Sequence, residues 1–139
     1  MIDKLPANFQ SIGAIRKAFP MAKIIHIKRN PMAAAVSIFS NYFSANELYF
    51  CDLNELGSYY ALYIDLMAFW QSIALAGWYS IEYESLINST EEQLQQILQF
   101  LELPWQSQCL TFHEKQGRVI TSSDKQVRQP IYKDRINSW

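Results

Sequence analysis

The segment from Lys23 to Phe39, KIIHIKRNPMAAAVSIF, constrains this chain more than any other. Ile24, Ile25 and Ile27 form a short, nearly continuous β-branched run, the pattern of a buried strand. The run stops at Lys28-Arg29, turns through Asn30-Pro31, and enters the helix-forming Met32-Ala33-Ala34-Ala35. Asn30 suits an N-cap and Pro31 suits the first helical position. A cationic pair therefore stands at the carboxyl end of a strand, where a helix begins. Open α/β sheets bind ligands outside the carboxyl ends of their strands. Helix N-termini favour anions. Arg29 and the hydroxyl of Ser37 are accordingly candidate ligands of one phosphate, the first through its fork of donors, the second as a neutral donor. The competing reading is a surface arginine and a solvated helix serine.

The elements around this segment point to a parallel sheet with helical crossovers. Phe9, Ile12, Ile15 and Phe19 make a helical stripe that Pro20 stops. The strand Lys23 to Lys28 follows, then a helix from Pro31 to about Ser44. Asn46 to Asp52 reads as an aromatic-rich loop. Leu53 to about Ala76 reads as the longest helix, with Leu56, Tyr59, Tyr60, Tyr63, Leu66, Met67 and Trp70 at helical spacing and Gly77 as its terminator. Trp78 to Glu84 alternates and reads as a second strand. On that alternation Glu82 and Glu84 point to the face opposite Tyr83. Ser89 or Thr90 caps a helix that runs to Leu101, with Glu91 and Glu92 in its first turn. Trp105 to His113 reads as a further short helix, and Gly117 to Val127 as a polar loop. Strand, helix, long helix, strand, helix is the order of a parallel α/β sheet. Two strands are clear and Met1 to Lys4 could be the tail of a third, a sheet too small to be covered on both faces by itself and so expected to be incomplete.

Composition narrows the ligand class. At 139 residues the chain holds one domain at most, residues 1–139. Half of it is hydrophobic and its net charge is −1, so any anion site is local and no basic field indicates nucleic acid. No apolar run approaches the ~20 residues of a membrane span. Cys51 and Cys109 lack metal-ligand spacing and read as thiols in a reducing, cytoplasmic setting. His26 and His113 share no ligand spacing, so no metal is expected. Each has a structural explanation, His26 on a sheet face and His113 at a helix end. The four glycines are scattered, and no phosphate-cradling glycine loop is present.

Other candidates are weighed against plainer roles. Lys4, after a strand-like start and before Pro6, could stabilise charge on a transferring group; a solvated lysine is the alternative. Tyr83 could stack on a base or donate its hydroxyl, or could be a core strand residue. Ser123, Lys125 and Arg128 share a polar loop that could close over an anion, or could be a solvated charged loop.

Taken together these segments resemble the sulfotransferase family that uses 3′-phosphoadenosine 5′-phosphosulfate, in particular its bacterial branch often fused to tetratricopeptide repeats and related to tyrosylprotein sulfotransferases. The matching segments are Asp3-Lys4-Leu5-Pro6-Ala7-Asn8-Phe9, Phe19 to His26 with Arg29-Asn30-Pro31 and Ser37, Asp52 to Tyr60, Tyr83-Glu84-Ser85-Leu86, Phe100 to Trp105, and Ser123 to Tyr132. The resemblance implies a P-loop-NTPase-like α/β fold that transfers a sulfuryl group to a hydroxyl or amine, with no metal required. It assigns the donor's 3′-phosphate to Arg29 and Ser37, the transferring group to Lys4, and the nucleotide site to Tyr83. Ser123, and Arg128 as the nearest basic residue, would lie around the donor phosphates. Asn30 departs from the family's usual Asp, Ala33 from a polar or charged residue, and Gln129 from a lysine. The family's first strand, its 5′-phosphosulfate loop and its usual base have no counterpart, so the chain is expected to be the C-terminal part of a catalytic domain and inactive alone. The acceptor the resemblance implies is a small molecule, peptide or glycan. Three other readings stand beside this one: a non-catalytic nucleotide-binding fragment, a P-loop kinase-like phosphotransferase fragment, and a helical interaction module.

Overall fold

In the computed structural model, β1 (Ile24–Lys28) and β2 (Trp78–Glu82) pair as a two-stranded parallel sheet within a mixed α/β chain. The residues described are 2–39, 52–73, 76–114 and 129–131. They fall into two units, Met1–Ile25 with Pro31–Trp78, and His26–Asn30 with Tyr79–Trp139.

Among the described residues the first unit holds three α-helices. A 3-10 segment, Pro6–Ser11, leads into α1 (Ile12–Ala18), so the sequence stripe from Phe9 to Phe19 is helical but opens in a tighter coil. Pro6 at its first position has no N–H to waste. α2 (Pro31–Phe39) begins at the predicted proline. α3 (Leu53–Ser72) starts where Asp52 accepts from the N–H groups of Asn54 at 2.7 Å and Glu55 at 3.0 Å. Such a cap contributes about 1 kcal/mol. The expected stripe faces inward: Leu56 and Met67 are buried, and Tyr59, Tyr60, Tyr63, Leu66 and Trp70 are half-buried. With Ile12 and Ala33 they form this unit's core. Burying side chains of the Leu and Met size contributes roughly 1.5–3 kcal/mol each.

Aromatic contacts tie the two ends of this unit together. Phe9 meets Tyr59 and Tyr63 edge to face, at 6.1 and 5.1 Å. The indole N–H of Trp70 donates to the Phe9 carbonyl at 2.8 Å. Arg16 is half-buried and its guanidinium donates to the Ala22 carbonyl at 2.7 Å. Gly77 is not the terminator of α3, which ends at Ser72. It has φ +77° in the turn before β2, and its carbonyl accepts from the Ile24 N–H at 2.8 Å. That left-handed conformation is what its lack of a side chain permits.

In the second unit β2 is shorter than predicted. The alternation of Trp78 to Glu84 ends at Glu82, and Tyr83 opens α4 (Tyr83–Asn88). α4 packs on α5 (Thr90–Leu101), with Ile81 and Ile87 buried. The predicted Ser89 or Thr90 cap makes no side-chain hydrogen bond to the start of α5; the Thr90 hydroxyl donates back to the Ile87 carbonyl. Tyr79 stacks on Phe100 at 5.2 Å and its hydroxyl donates to Gln96. α5 closes in a Schellman motif: the Leu103 N–H reaches the Leu98 carbonyl and the Glu102 N–H the Gln99 carbonyl. Glu102 takes the left-handed position at φ 60°, the one non-glycine among the described residues to do so. Trp105 to His113 is not a helix. Two 3-10 turns stand there, Ser107–Cys109 and, ending one residue past it, Phe112–Glu114, because Pro104 and the polar Gln-Ser-Gln run offer no apolar stripe to bury.

Candidate functional site

In a parallel pair, the residues just past the strands emerge at the same end. Here those residues are Arg29-Asn30 after β1 and Tyr83-Glu84 after β2, all in the second unit. The Arg29 guanidinium lies over the Tyr83 ring, 5.0 Å from its centroid, and both residues are half-buried. Tyr83 reaches that position as the first residue of α4 rather than the last of a strand. Away from bulk water such a cation–π contact contributes about 1–2 kcal/mol. The N–H donors of a guanidinium form a planar fork.

Glu84 belongs to the same cluster, contrary to the expectation that it points away. Its carboxylate accepts from the backbone N–H of Asn30 at 3.0 Å, in partly buried surroundings. Glu84 was missed because strand alternation was carried two residues too far. In the first turn of a helix, consecutive side chains are about 100° apart, so Tyr83 and Glu84 can both serve the end of β1. The signal that could have found it is the Tyr-Glu-x-Leu segment, in which the glutamate directly follows the ring.

Beside this pair the lysine of the cationic doublet is committed elsewhere. Lys28 bonds Glu82 at 2.7 Å, a partly exposed pair worth no more than about 1 kcal/mol. The two cations after the isoleucine run thus divide, Lys28 to a carboxylate and Arg29 to a ring. His26, on β1, has its pKa lowered from 6.5, first by burial and then by Lys28, with Glu82 pulling the other way. It is half-buried, in keeping with a sheet-face histidine held neutral.

The remaining sequence candidates are placed as follows in the chain. Ser37 is half-buried on α2 and Lys4 is exposed ahead of the 3-10 segment, both in the first unit. Ser123 and Arg128 lie outside the described residues. Ala33, which departs from the polar residue expected there, is only 3% exposed, so a longer polar side chain would have to displace packed neighbours. Cys109 is a free thiol, and Cys51 lies outside the described residues. Among the described residues no group of His, Cys, Asp and Glu is arranged to hold a metal ion, and no helix is long and apolar enough to cross a membrane.

Comparison with known proteins gives this arrangement a family. A profile described as the sulfotransferase family matches residues 1–107. An uncharacterized protein of Aquifex aeolicus (strain VF5) is 34% identical over 142 residues, covering 100% of this chain and 19% of its own length. Protein-tyrosine sulfotransferase A of Caenorhabditis elegans is 24% identical over 145 residues, covering 100% of this chain and 38% of its own length. The chain therefore spans well under half of these curated relatives. The family match covers most of the chain, and the chain belongs to the sulfotransferase family.

Proposed function

We propose that this member of the sulfotransferase family forms the nucleotide-binding, C-terminal part of a larger catalytic domain with a P-loop-NTPase-like sheet. That domain would transfer a sulfuryl group from 3′-phosphoadenosine 5′-phosphosulfate to a hydroxyl or amine. The observation that carries the reading is the Arg29 guanidinium resting on the Tyr83 ring at the carboxyl ends of two paired strands. A phosphate needs a fork of donors, and a nucleoside needs an aromatic surface; this cluster supplies both chemistries side by side. Arg29 takes the 3′-phosphate, with Ser37 as its partner in the strand–helix motif. Tyr83 lines the nucleotide site. Lys4 is assigned to the transferring sulfuryl group, and Ser123 and Arg128 to the donor phosphates.

The chemistry such a domain performs is in-line transfer. The bond from sulfur to the donor's phosphate oxygen breaks while a bond from sulfur to the acceptor oxygen or nitrogen forms. The acceptor proton leaves to a base, and the leaving bisphosphate carries away the electron pair. Cations lower the barrier by stabilising charge that develops on the sulfuryl and leaving oxygens. As in phosphoryl transfer, positioning and electrostatics carry most of the rate. Arg29 contributes to binding and orientation; a base and a 5′-phosphosulfate loop are assigned to chain beyond these 139 residues.

The test is calorimetric titration of the full-length protein with adenosine 3′,5′-bisphosphate, alongside a sulfate-transfer assay. Arg29→Ala should weaken binding at least tenfold, since a lost charge-assisted contact is worth about 1.5–3 kcal/mol. Arg29→Lys should recover only part of it, keeping the charge but not the fork. An Arg29→Ala protein that binds as the wild type does would remove the basis of the reading. The isolated 139-residue chain should show no turnover.

A further inference from the structure

Two consecutive residues of α4 hold two consecutive residues at the end of β1. Tyr83 places its ring under the Arg29 side chain, and Glu84 accepts from the Asn30 N–H at 3.0 Å. That N–H belongs to the peptide plane joining Arg29 to Asn30. Fixing the plane fixes the ψ angle of Arg29, so the ring sets where the guanidinium lies and the carboxylate sets the backbone from which it projects. A charged acceptor in partly buried surroundings makes a stronger and shorter bond than a neutral one. α4 is itself anchored, by buried Ile87 and by its packing on α5.

We infer that Glu84 is a positioning residue of the anion site: it orients Arg29 through the Asn30 peptide and touches no ligand itself. The inference rests on the assignment of Arg29 to the 3′-phosphate. It is specific about which ligand atoms Glu84 governs. A misdirected Arg29 fails to meet the 3′-phosphate, whereas a ligand lacking that phosphate does not use Arg29. The carboxylate is also a negative charge near an anion site, so its removal without loss of the bond should not weaken binding. Glu84→Gln meets that condition, because the amide oxygen still accepts the Asn30 N–H.

The experiment measures, in the full-length protein, the ratio of affinities for adenosine 3′,5′-bisphosphate and adenosine 5′-monophosphate. Glu84→Ala should lower the ratio about tenfold, the size expected for one misplaced charge-assisted contact, with monophosphate affinity unchanged. Glu84→Asp, which keeps the charge but draws it back by one methylene, should lower the ratio too and guards against an alanine variant that does not fold. Glu84→Gln should keep or raise the ratio. A ratio unchanged in both Glu84→Ala and Glu84→Asp overturns the inference. So does a parallel loss for both ligands, which is what a merely structural role predicts, and so does a glutamine variant as weak as the alanine one. A wild-type protein that binds the two nucleotides equally overturns the 3′-phosphate assignment of Arg29 itself, which separates that failure from the others.

Discussion

Gly13 is the position where the physics of the helix and the physics of packing disagree most sharply. It lies inside α1, where exchanging glycine for alanine normally stabilises by about 1 kcal/mol. A methyl group there would stand 2.9 Å from Cη2 and 3.2 Å from Cζ3 of the Trp70 ring. The ring cannot swing aside without cost, because its N–H donates to the Phe9 carbonyl at 2.8 Å and it packs against Phe69 at 5.0 Å. Overpacking of this kind costs about 1–3 kcal/mol. Loosening the indole hydrogen bond adds about 1 kcal/mol. Set against the helical gain, Gly13→Ala should destabilise by about 1–3 kcal/mol, a fall of several degrees in melting temperature for a chain of this size. The sign should reverse in a Trp70→Leu background. That variant is less stable than the wild type, but it removes the far edge of the ring, and adding Gly13→Ala to it should stabilise by about 1 kcal/mol. Thermal and urea unfolding followed by circular dichroism on the four proteins completes the cycle. A Gly13→Ala chain more stable than wild type, or the same sign in both backgrounds, would show that the contact with Trp70 does not govern this site.

Glu102→Gly should stabilise the chain by roughly 0.5–1 kcal/mol, read as a higher urea midpoint, because glycine takes the left-handed C′ position without the cost borne by a side chain, less the extra freedom it gives the unfolded state. His26 should make stability depend on pH: its folded-state pKa lies below the unfolded 6.5, so the unfolded chain binds the proton more readily and stability falls as pH drops from about 6.5 towards the folded value. Melting temperatures between pH 7.5 and 5.5 should fall further in the wild type than in His26→Asn, and equal falls would assign the dependence to other groups.

The parts of the fold that were legible are those whose signal is local. The β1-to-α2 segment announces itself through β-branched residues followed by Asn-Pro, and α3 through a stripe that the structure turns inward. What was not legible depends on where a periodicity stops. The residues after Trp78 alternate through Glu84, but the strand ends two residues earlier, since Ile87 must turn inward on the helix that packs against α5. Trp105 to His113 has helical length but no stripe, and 3-10 turns satisfy it. Gly77 has the right identity for a helix terminator, yet its left-handed φ serves the entry to β2.

The same misplaced boundary concealed half of the site. A tyrosine at a strand end and a tyrosine opening a helix are indistinguishable by residue type, and Arg29 with Tyr83 could be singled out either way. The residue after the tyrosine is where the two differ. On a strand Glu84 would face away from the ring; on a helix it sits a quarter-turn around and bonds the Asn30 peptide. The role of Glu84 therefore follows from the two-residue difference in where β2 ends, and a variant that restores strand geometry there should separate ring from carboxylate. In a parallel sheet this dependence is general. Ligand chemistry sits past the strand ends, so an error of two residues in a strand boundary moves a side chain from one face of the site to the other.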